Sequence, residues 1–248
     1  MTERSLRADP FAAFRGLTPA RIGLGRSGDA ILTQDLLALQ MAHARARDAI
    51  HAAADFAQLA RQLADLKPVV VQSRAPDRAA YLLNPDLGRQ LDPTAAAELP
   101  SGSADVAFVL GDGLSASALD THGEPVLRAC LARLGQFSVA RPVLARQARV
   151  ALGDEIGERL GAKIVVMLLG ERPGLSVPDS LGAYLTYAPR KGRRDSERNC
   201  VSNIHASGLA HEQAADKICW LIREALRRGV TGIELKDEAE ASAQSRLP

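Results

Sequence analysis

The groups with which this chain could do chemistry are few, and most stand apart from one another. A Gly-Glu-Arg-Pro-Gly stretch, Gly170 to Gly174, follows directly on an apolar run and carries Glu171. A carboxylate at the end of a buried strand is partly desolvated and demands hydrogen-bond donors. A ligand with several amide N–H groups would satisfy it. A salt bridge to Arg172 or to the basic stretch 190–198 would serve equally well. That stretch holds five basic and two acidic residues and reads as a solvated loop, or as a contact for an anion or a partner. Asp112-Gly113, at another predicted strand end, suits a metal or a phosphate, but such a pair more often closes a tight turn. The five histidines are scattered. Asp48 and His51 lie three apart, which gives a metal only two ligands, and His43 has no ligand at such an offset. Both histidines therefore read as surface or packing residues. Gly-x-Ser-x-Gly and the phosphate-binding P-loop are absent.

One glycine motif does occur. Gly23 to Gly28 matches GxGxxG. A dinucleotide site needs a strand before that motif and a helix directly behind it, because the phosphate rests on the helix N-terminus. Only Arg21-Ile22 precedes it, and Asp48, at the distance of the ribose-binding acid, falls inside a helical pattern. The stretch reads as a Gly-rich turn ahead of a helix.

The elements that must position these groups follow from hydrophobic periodicity. Residues 164–169 are a continuous aliphatic run ended by Gly and Pro, the pattern of a strand buried on both faces. Residues 69–71, 81–83, 106–110, 137–144, 184–187 and 200–204 read as further strands. Helices are expected over 33–51 with Thr33 as N-cap, over 56–66, 93–98, 115–134 and 154–160, and over 210–228 with Gly229 as the cap. Strands alternating with helices predict an α/β fold: a largely parallel, Rossmann-like sheet flanked by helices, with right-handed crossovers. In such sheets ligands bind beyond the carboxyl ends of the strands, where Glu171 falls. Residues 1–66 form an N-terminal arm, extended over 1–20, and a helical segment; 67–236 form the α/β domain; the polar 237–248 are expected to be disordered.

Composition narrows the class. The 248 residues carry 31 Lys and Arg against 29 Asp and Glu, a net charge of +2. That balance gives no reason to expect nucleic acid or an anionic membrane as a partner. Cys130, Cys200 and Cys219 are widely spaced with no CxxC pair, which argues against a zinc ribbon or a disulfide framework and suits a reducing compartment. No apolar run is long enough to span a bilayer, and Met1-Thr2-Glu3-Arg4-Ser5 opens no secretory leader. A soluble intracellular protein is expected.

Taken together and in order, several motifs resemble the light (small) chain of ethanolamine ammonia-lyase. They are Arg21-Ile22-Gly23-Leu24-Gly25-Arg26, His43-Ala44-Arg45-Ala46-Arg47-Asp48-Ala49 and Gly111-Asp112-Gly113-Leu114-Ser115. Gly170-Glu171-Arg172-Pro173-Gly174-Leu175, Asn199-Cys200-Val201-Ser202-Asn203-Ile204-His205 and Thr231-Gly232-Ile233-Glu234-Leu235-Lys236-Asp237 continue the series. The resemblance runs from Arg21 to Asp237.

It implies a subunit of an adenosylcobalamin-dependent lyase that converts ethanolamine to acetaldehyde and ammonia. In that family an adenosyl radical abstracts hydrogen from the substrate, and a (β/α)8 large subunit holds the substrate. The small subunit closes over the cofactor, and the complex is a hexamer of heavy–light pairs. The resemblance assigns Val150, Glu171 and Cys200 to cofactor contact and no catalytic or metal-binding residue to this chain. Glu171 would accept hydrogen bonds from corrin amides; Val150 and Cys200 would meet the nucleotide tail. Cobalamin proteins that supply a histidine to cobalt carry Asp-x-His-x-x-Gly; here Asp120-Thr121-His122 is followed by Pro125 in place of that Gly. A base-on cofactor is therefore implied. Some members have a longer N-terminal arm linked to packaging in a bacterial microcompartment. This chain has little before Arg21, so the cytoplasm is expected and packaging stays an open alternative. A non-catalytic nucleotide-binding or interaction module is the competing reading.

Overall fold

The computed structural model describes residues 10–18 and 20–236. The predicted tail 237–248 and half of the predicted extended arm lie outside those residues. Two short strands, β1 (Arg26–Ser27) and β2 (Ala30–Ile31), pair as a small antiparallel ribbon. Six more strands form the main sheet: β3 (Val69–Gln72), β4 (Ala104–Gly111), β5 (Val143–Arg146), β6 (Ala162–Gly170), β7 (Leu181–Tyr187) and β8 (Arg198–Ile204). Their spatial order is β3-β5-β4-β6-β7-β8. The helices are α1 (Ala12–Arg15), α2 (Thr33–His51), α3 (Phe56–Gln62), α4 (Arg78–Leu83) and α5 (Pro93–Ala96). They continue with α6 (Ala116–Ala118), α7 (Glu124–Arg133), α8 (Leu152–Arg159) and α9 (His211–Arg228).

The four strands β3, β5, β4 and β6 are mutually parallel, as the α/β alternation predicts. β7 and β8 are antiparallel. The reason lies in the connection: parallel neighbours need a crossover of a dozen or more residues, usually helical. Only the loop 171–180 joins β6 to β7, and Glu171 N–H donates to the Ser180 carbonyl at 2.8 Å, closing it as a hairpin.

β4 and β6 are buried along almost their whole length, and their side chains alternate between two cores. Val106, Phe108, Leu110, Ile164, Val166 and Leu168 pack under α7 and α9. Ala107, Val109, Val165 and Met167 pack under Leu152 and Ile156 of α8. α9 buries Ala214, Ile218, Leu221, Ile222 and Ala225 at helical spacing and ends on Gly229 at φ 73°. On the other face α8 spans only eight residues.

Several expectations are corrected. Residues 81–83 belong to the helix α4, not a strand; Asp77 caps it by accepting from Ala80 N–H at 2.8 Å, and Tyr81 is fully buried. Three aliphatic residues are too short a window to reveal a period. Of the strand expected over 137–144 only Val143 and Leu144 fall in a strand, β5, which starts directly after Pro142, a residue with no N–H to pair. Thr33 is the first helical residue rather than the cap, and α1 interrupts the arm expected to be extended. The helix over 56–66 divides into α3 and a 3₁₀ turn at Ala64–Leu66. The helix over 115–134 is interrupted by a π turn at Leu119–Gly123, immediately before Pro125, which cannot donate to the helical ladder. Among the described residues no helix is long and apolar enough to cross a membrane.

Candidate functional site

Among the described residues the sheet face over β7 and β8 lies beyond the reach of α8, with Tyr184 half-buried and Cys200 exposed on it. Tyr184 on β7 and Cys200 on β8 are register partners there. Val150, in the turn between β5 and α8, faces them across a cavity of about 420 Å³ whose walls also include Arg89, Arg149 and Arg198. Glu171 lies at the carboxyl end of β6, on the same side of the sheet. A Cβ built at Gly182 would fall 2.9 Å from Glu171 Oε1 and 3.1 Å from Tyr184 Cε2, so the carboxylate lies over a position with no side chain to displace it. Val150 and Cys200 thus share one cavity, and Glu171 stands at its margin beside Tyr184.

The Glu171 carboxylate is held by neutral donors. It accepts the Ser180 hydroxyl and, at 3.3 Å, the Asn203 N–H. The salt bridge to the basic stretch is not formed, for a topological reason. β7 runs antiparallel to β6, so Tyr187, after which that stretch begins, pairs with Ile164 at the far end of β6. The stretch is instead knotted into itself and the sheet. Arg193 donates to the Ala188 carbonyl and to Glu197. Arg198 makes a two-pronged ion pair with Asp154 at 2.5 and 2.8 Å, with side-chain exposures of 3% and 2%. Thr186 Oγ1 accepts a further Arg198 N–H at 2.9 Å. A buried pair of this kind repays its desolvation only through such complete pairing.

Cys200 is exposed by area, yet the groups crowded around its sulfur, with the Glu171 charge second, push the thiol up to about 11. It is a neutral thiol at physiological pH, suited to contact rather than to nucleophilic attack. Burial, with Cys200 and Glu171 adding to it, also raises the Tyr184 phenol above its ordinary range.

Other candidate groups are placed elsewhere. Asp112 is buried and accepts from Gln147 N–H at 3.1 Å and Ala148 N–H at 3.0 Å, with Arg78 3.6 Å away. It therefore fills the crevice between the carboxyl ends of β4 and β5, the switch point where a doubly wound sheet ordinarily takes a nucleotide. The Gly23–Gly28 stretch leads into the β1–β2 ribbon, without the helix that a dinucleotide motif requires. His43, Asp48 and His51 are exposed on α2. His122 and His211, scattered in sequence, come together with ring nitrogens 2.9 Å apart on the α7/α9 side of the sheet. Burial, with His211 second, lowers the His122 pKa. Among the described residues no group of three or more His, Cys, Asp or Glu is assembled for a metal.

Sequence reasoning missed Tyr184, Arg149 and the Arg198–Asp154 pair. Tyr184 was legible as an aromatic on a predicted strand opposite Cys200, had the register been known. Asp154 and Arg198 are 44 residues apart, and no spacing rule joins them.

The chain is similar to proteins of known kind. A family model described as ethanolamine ammonia-lyase light chain (EutC) matches residues 8–236. The ethanolamine ammonia-lyase small subunit of Bradyrhizobium diazoefficiens is 50% identical over 255 residues, covering 100% of this chain and 98% of that protein. The Rhodopseudomonas palustris small subunit is 53% identical, with 94% of this chain and 92% of the relative covered. The Pseudomonas putida small subunit is 50% identical, with 94% and 89% covered.

Proposed function

The chain belongs to the ethanolamine ammonia-lyase light-chain family, and from that premise we propose that its open β7–β8 face forms one wall of an adenosylcobalamin site shared with a large subunit. The supporting observation is that Val150, Glu171 and Cys200, 21 and 29 residues apart in sequence (171 − 150 and 200 − 171), converge on one uncovered side of the sheet. Drug-sized ligands fill pockets of about 300–1,000 Å³. A corrinoid is larger than these, so a cavity of about 420 Å³ accommodates one part of it and leaves the rest to a partner.

The residues present fit such a ligand. Glu171 offers acceptor oxygens to corrin amide N–H groups; Val150, the Tyr184 ring and the neutral Cys200 thiol offer apolar contact. When bound, the cofactor supplies the radical that starts the conversion of ethanolamine to acetaldehyde and ammonia. This chain's own part is to hold, orient and shield. It contributes no general acid or base, and substrate is handled by the large subunit. Base-on binding and a hexamer of heavy–light pairs follow the family pattern. The partner's footprint on this reading includes α2, which buries only Ala42 and Ala46 while Leu36, Leu37 and Met41 stay exposed. An uncovered apolar stripe of this kind marks an association surface.

The competing reading, a nucleotide-binding module, is disfavoured by Asp112 plugging the switch-point crevice.

Two assays test the proposal. Ethanolamine turnover by the large subunit should depend on this chain. Glu171→Ala in the complex should raise the KM for adenosylcobalamin by about 10- to 150-fold, corresponding to loss of one charged hydrogen bond of about 1.5–3 kcal/mol. Glu171→Gln, which keeps the shape, should fall between. An unchanged cofactor KM in both variants rejects the role of Glu171.

A further inference from the structure

The cavity holds one arginine whose charge no described residue answers. Arg198 is neutralised by Asp154, and the cavity's own acid, Asp195, leans on Arg198 at 3.3 Å. Arg149 differs. Among the described residues it has no carboxylate partner, and its Nε is buried without a hydrogen bond. Its position is nevertheless fixed. Its backbone N–H donates to the Gly88 carbonyl at 2.9 Å, and its guanidinium stacks on the Tyr81 ring, 4.3 Å from the centroid. Tyr81 is itself pinned, donating its hydroxyl to the Ala148 carbonyl at 2.9 Å. A Cβ at residue 88 would meet Tyr81 Cε2 at 2.8 Å and Arg149 Cγ at 2.9 Å, so the stack exists because Gly88 leaves room. Arg89 adds a second positive charge on the same wall; its acid neighbour Asp86 is 3.8 Å away and exposed, a weak pairing.

A guanidinium that is stacked, partly desolvated and uncompensated is costly to the free protein and prepared for an anion. Cobalamin's amides are neutral; its one anionic group is the phosphodiester of the nucleotide tail. Resting on the reading above, we propose that Arg149, assisted by Arg89, receives that phosphodiester, with Val150 and Cys200 beside it against the apolar parts of the tail. Arg149 is then a cofactor-binding residue that also sets specificity for the complete cofactor over truncated corrinoids.

The test uses the assembled large–small complex and measures equilibrium binding by spectral titration. The ligands are adenosylcobalamin and adenosylcobinamide, which lacks the phosphodiester and the base. Arg149→Met, which keeps the aliphatic stem, should weaken adenosylcobalamin binding about tenfold or more, the equivalent of a charge-assisted hydrogen bond. It should leave adenosylcobinamide binding within about twofold, the spread expected of a surface change. Arg149→Lys keeps the charge but not the fork and should lose less. Equal losses for both ligands, or no loss for either, overturn the proposal. A thermal shift given by inorganic phosphate alone and abolished in Arg149→Met, with cofactor binding intact, assigns the arginine to a free anion and also overturns it. If Glu171→Ala weakens binding while Arg149→Met does not, only this inference falls. If neither variant matters, the shared-site reading falls with it.

Discussion

Asp105 illustrates how single residues here are tied to the fold. It accepts from the Ser138 N–H and hydroxyl at 2.9 and 2.8 Å and from Lys163 Nζ at 2.8 Å, joining the start of β4 to the turn before β5 and to β6. Lys163 first, then the two Ser138 donors, hold its carboxyl down to about 2, against 3.8 for an unperturbed aspartate. The folded chain therefore favours the ionised form. The resulting stability is present above the unfolded value and is lost as pH falls through about 2. Asp105→Asn should be less stable than the parent at pH 7, and the gap should close between pH 4 and 2. Urea midpoints at pH 7, 4 and 2 check this; a gap that stays constant with pH would mean that the carboxylate charge is not involved. Cys200 shows the opposite case: crowding around its sulfur, with the Glu171 charge second, raises its thiol and favours the neutral form.

Among the elements, the segment from α4 through the turn at Leu87–Arg89 does the least visible work with the largest consequence. Its helix is too short to stand alone, and its stability comes from burying Tyr81. Through Tyr81 and Gly88 it decides where the Arg149 side chain can lie. Gly88→Ala should force apart the Tyr81–Arg149 stack. Overpacking of this kind costs about 1–3 kcal/mol, so the thermal midpoint should fall measurably. Adenosylcobalamin affinity of the complex should drop as well. A variant that loses neither stability nor affinity would show that the stack has slack. Sequence periodicity assigned 81–83 to a strand because Tyr-Leu-Leu suits either state. The cap at Asp77 and the pull of a buried ring resolved it as a helix.

At the scale of the whole molecule, the described residues leave exposed both the β7–β8 face beyond α8 and the apolar side of α2. On the proposed reading both meet the large subunit. Leu37 and Met41, 59% and 55% exposed, are the most accessible members of the α2 stripe. Leu37→Glu with Met41→Glu should leave the circular dichroism of the free chain unchanged, since neither side chain is in a core. It should abolish or strongly weaken co-elution with the large subunit. Undiminished association would move the partner surface elsewhere. The open sheet face has a topological origin: β7 and β8 are hairpin-linked and antiparallel, so no crossover helix comes with them to cover the side away from α9.

The sequence alone determined the central buried strands over 106–110 and 164–169, the long final helix with its glycine cap, the α/β class and the family. Aliphatic runs, a 3.6-residue stripe and ordered motifs are local signals that need no knowledge of neighbours. It also placed Glu171 at the carboxyl end of a buried strand, because Gly and Pro mark where a strand must stop. Only the tertiary structure decided that Glu171 is held by Ser180 and Asn203 rather than by the basic stretch. Only there do Val150 and Cys200 face one cavity, Asp112 plug the switch point, and Arg149 stand, among the described residues, without a counter-charge. These outcomes depend on strand direction and on pairings across 30 to 70 residues of chain (Glu171–Asn203 at 32, Tyr81–Ala148 at 67). Packing of the whole chain sets such distances, and no short-range spacing encodes them.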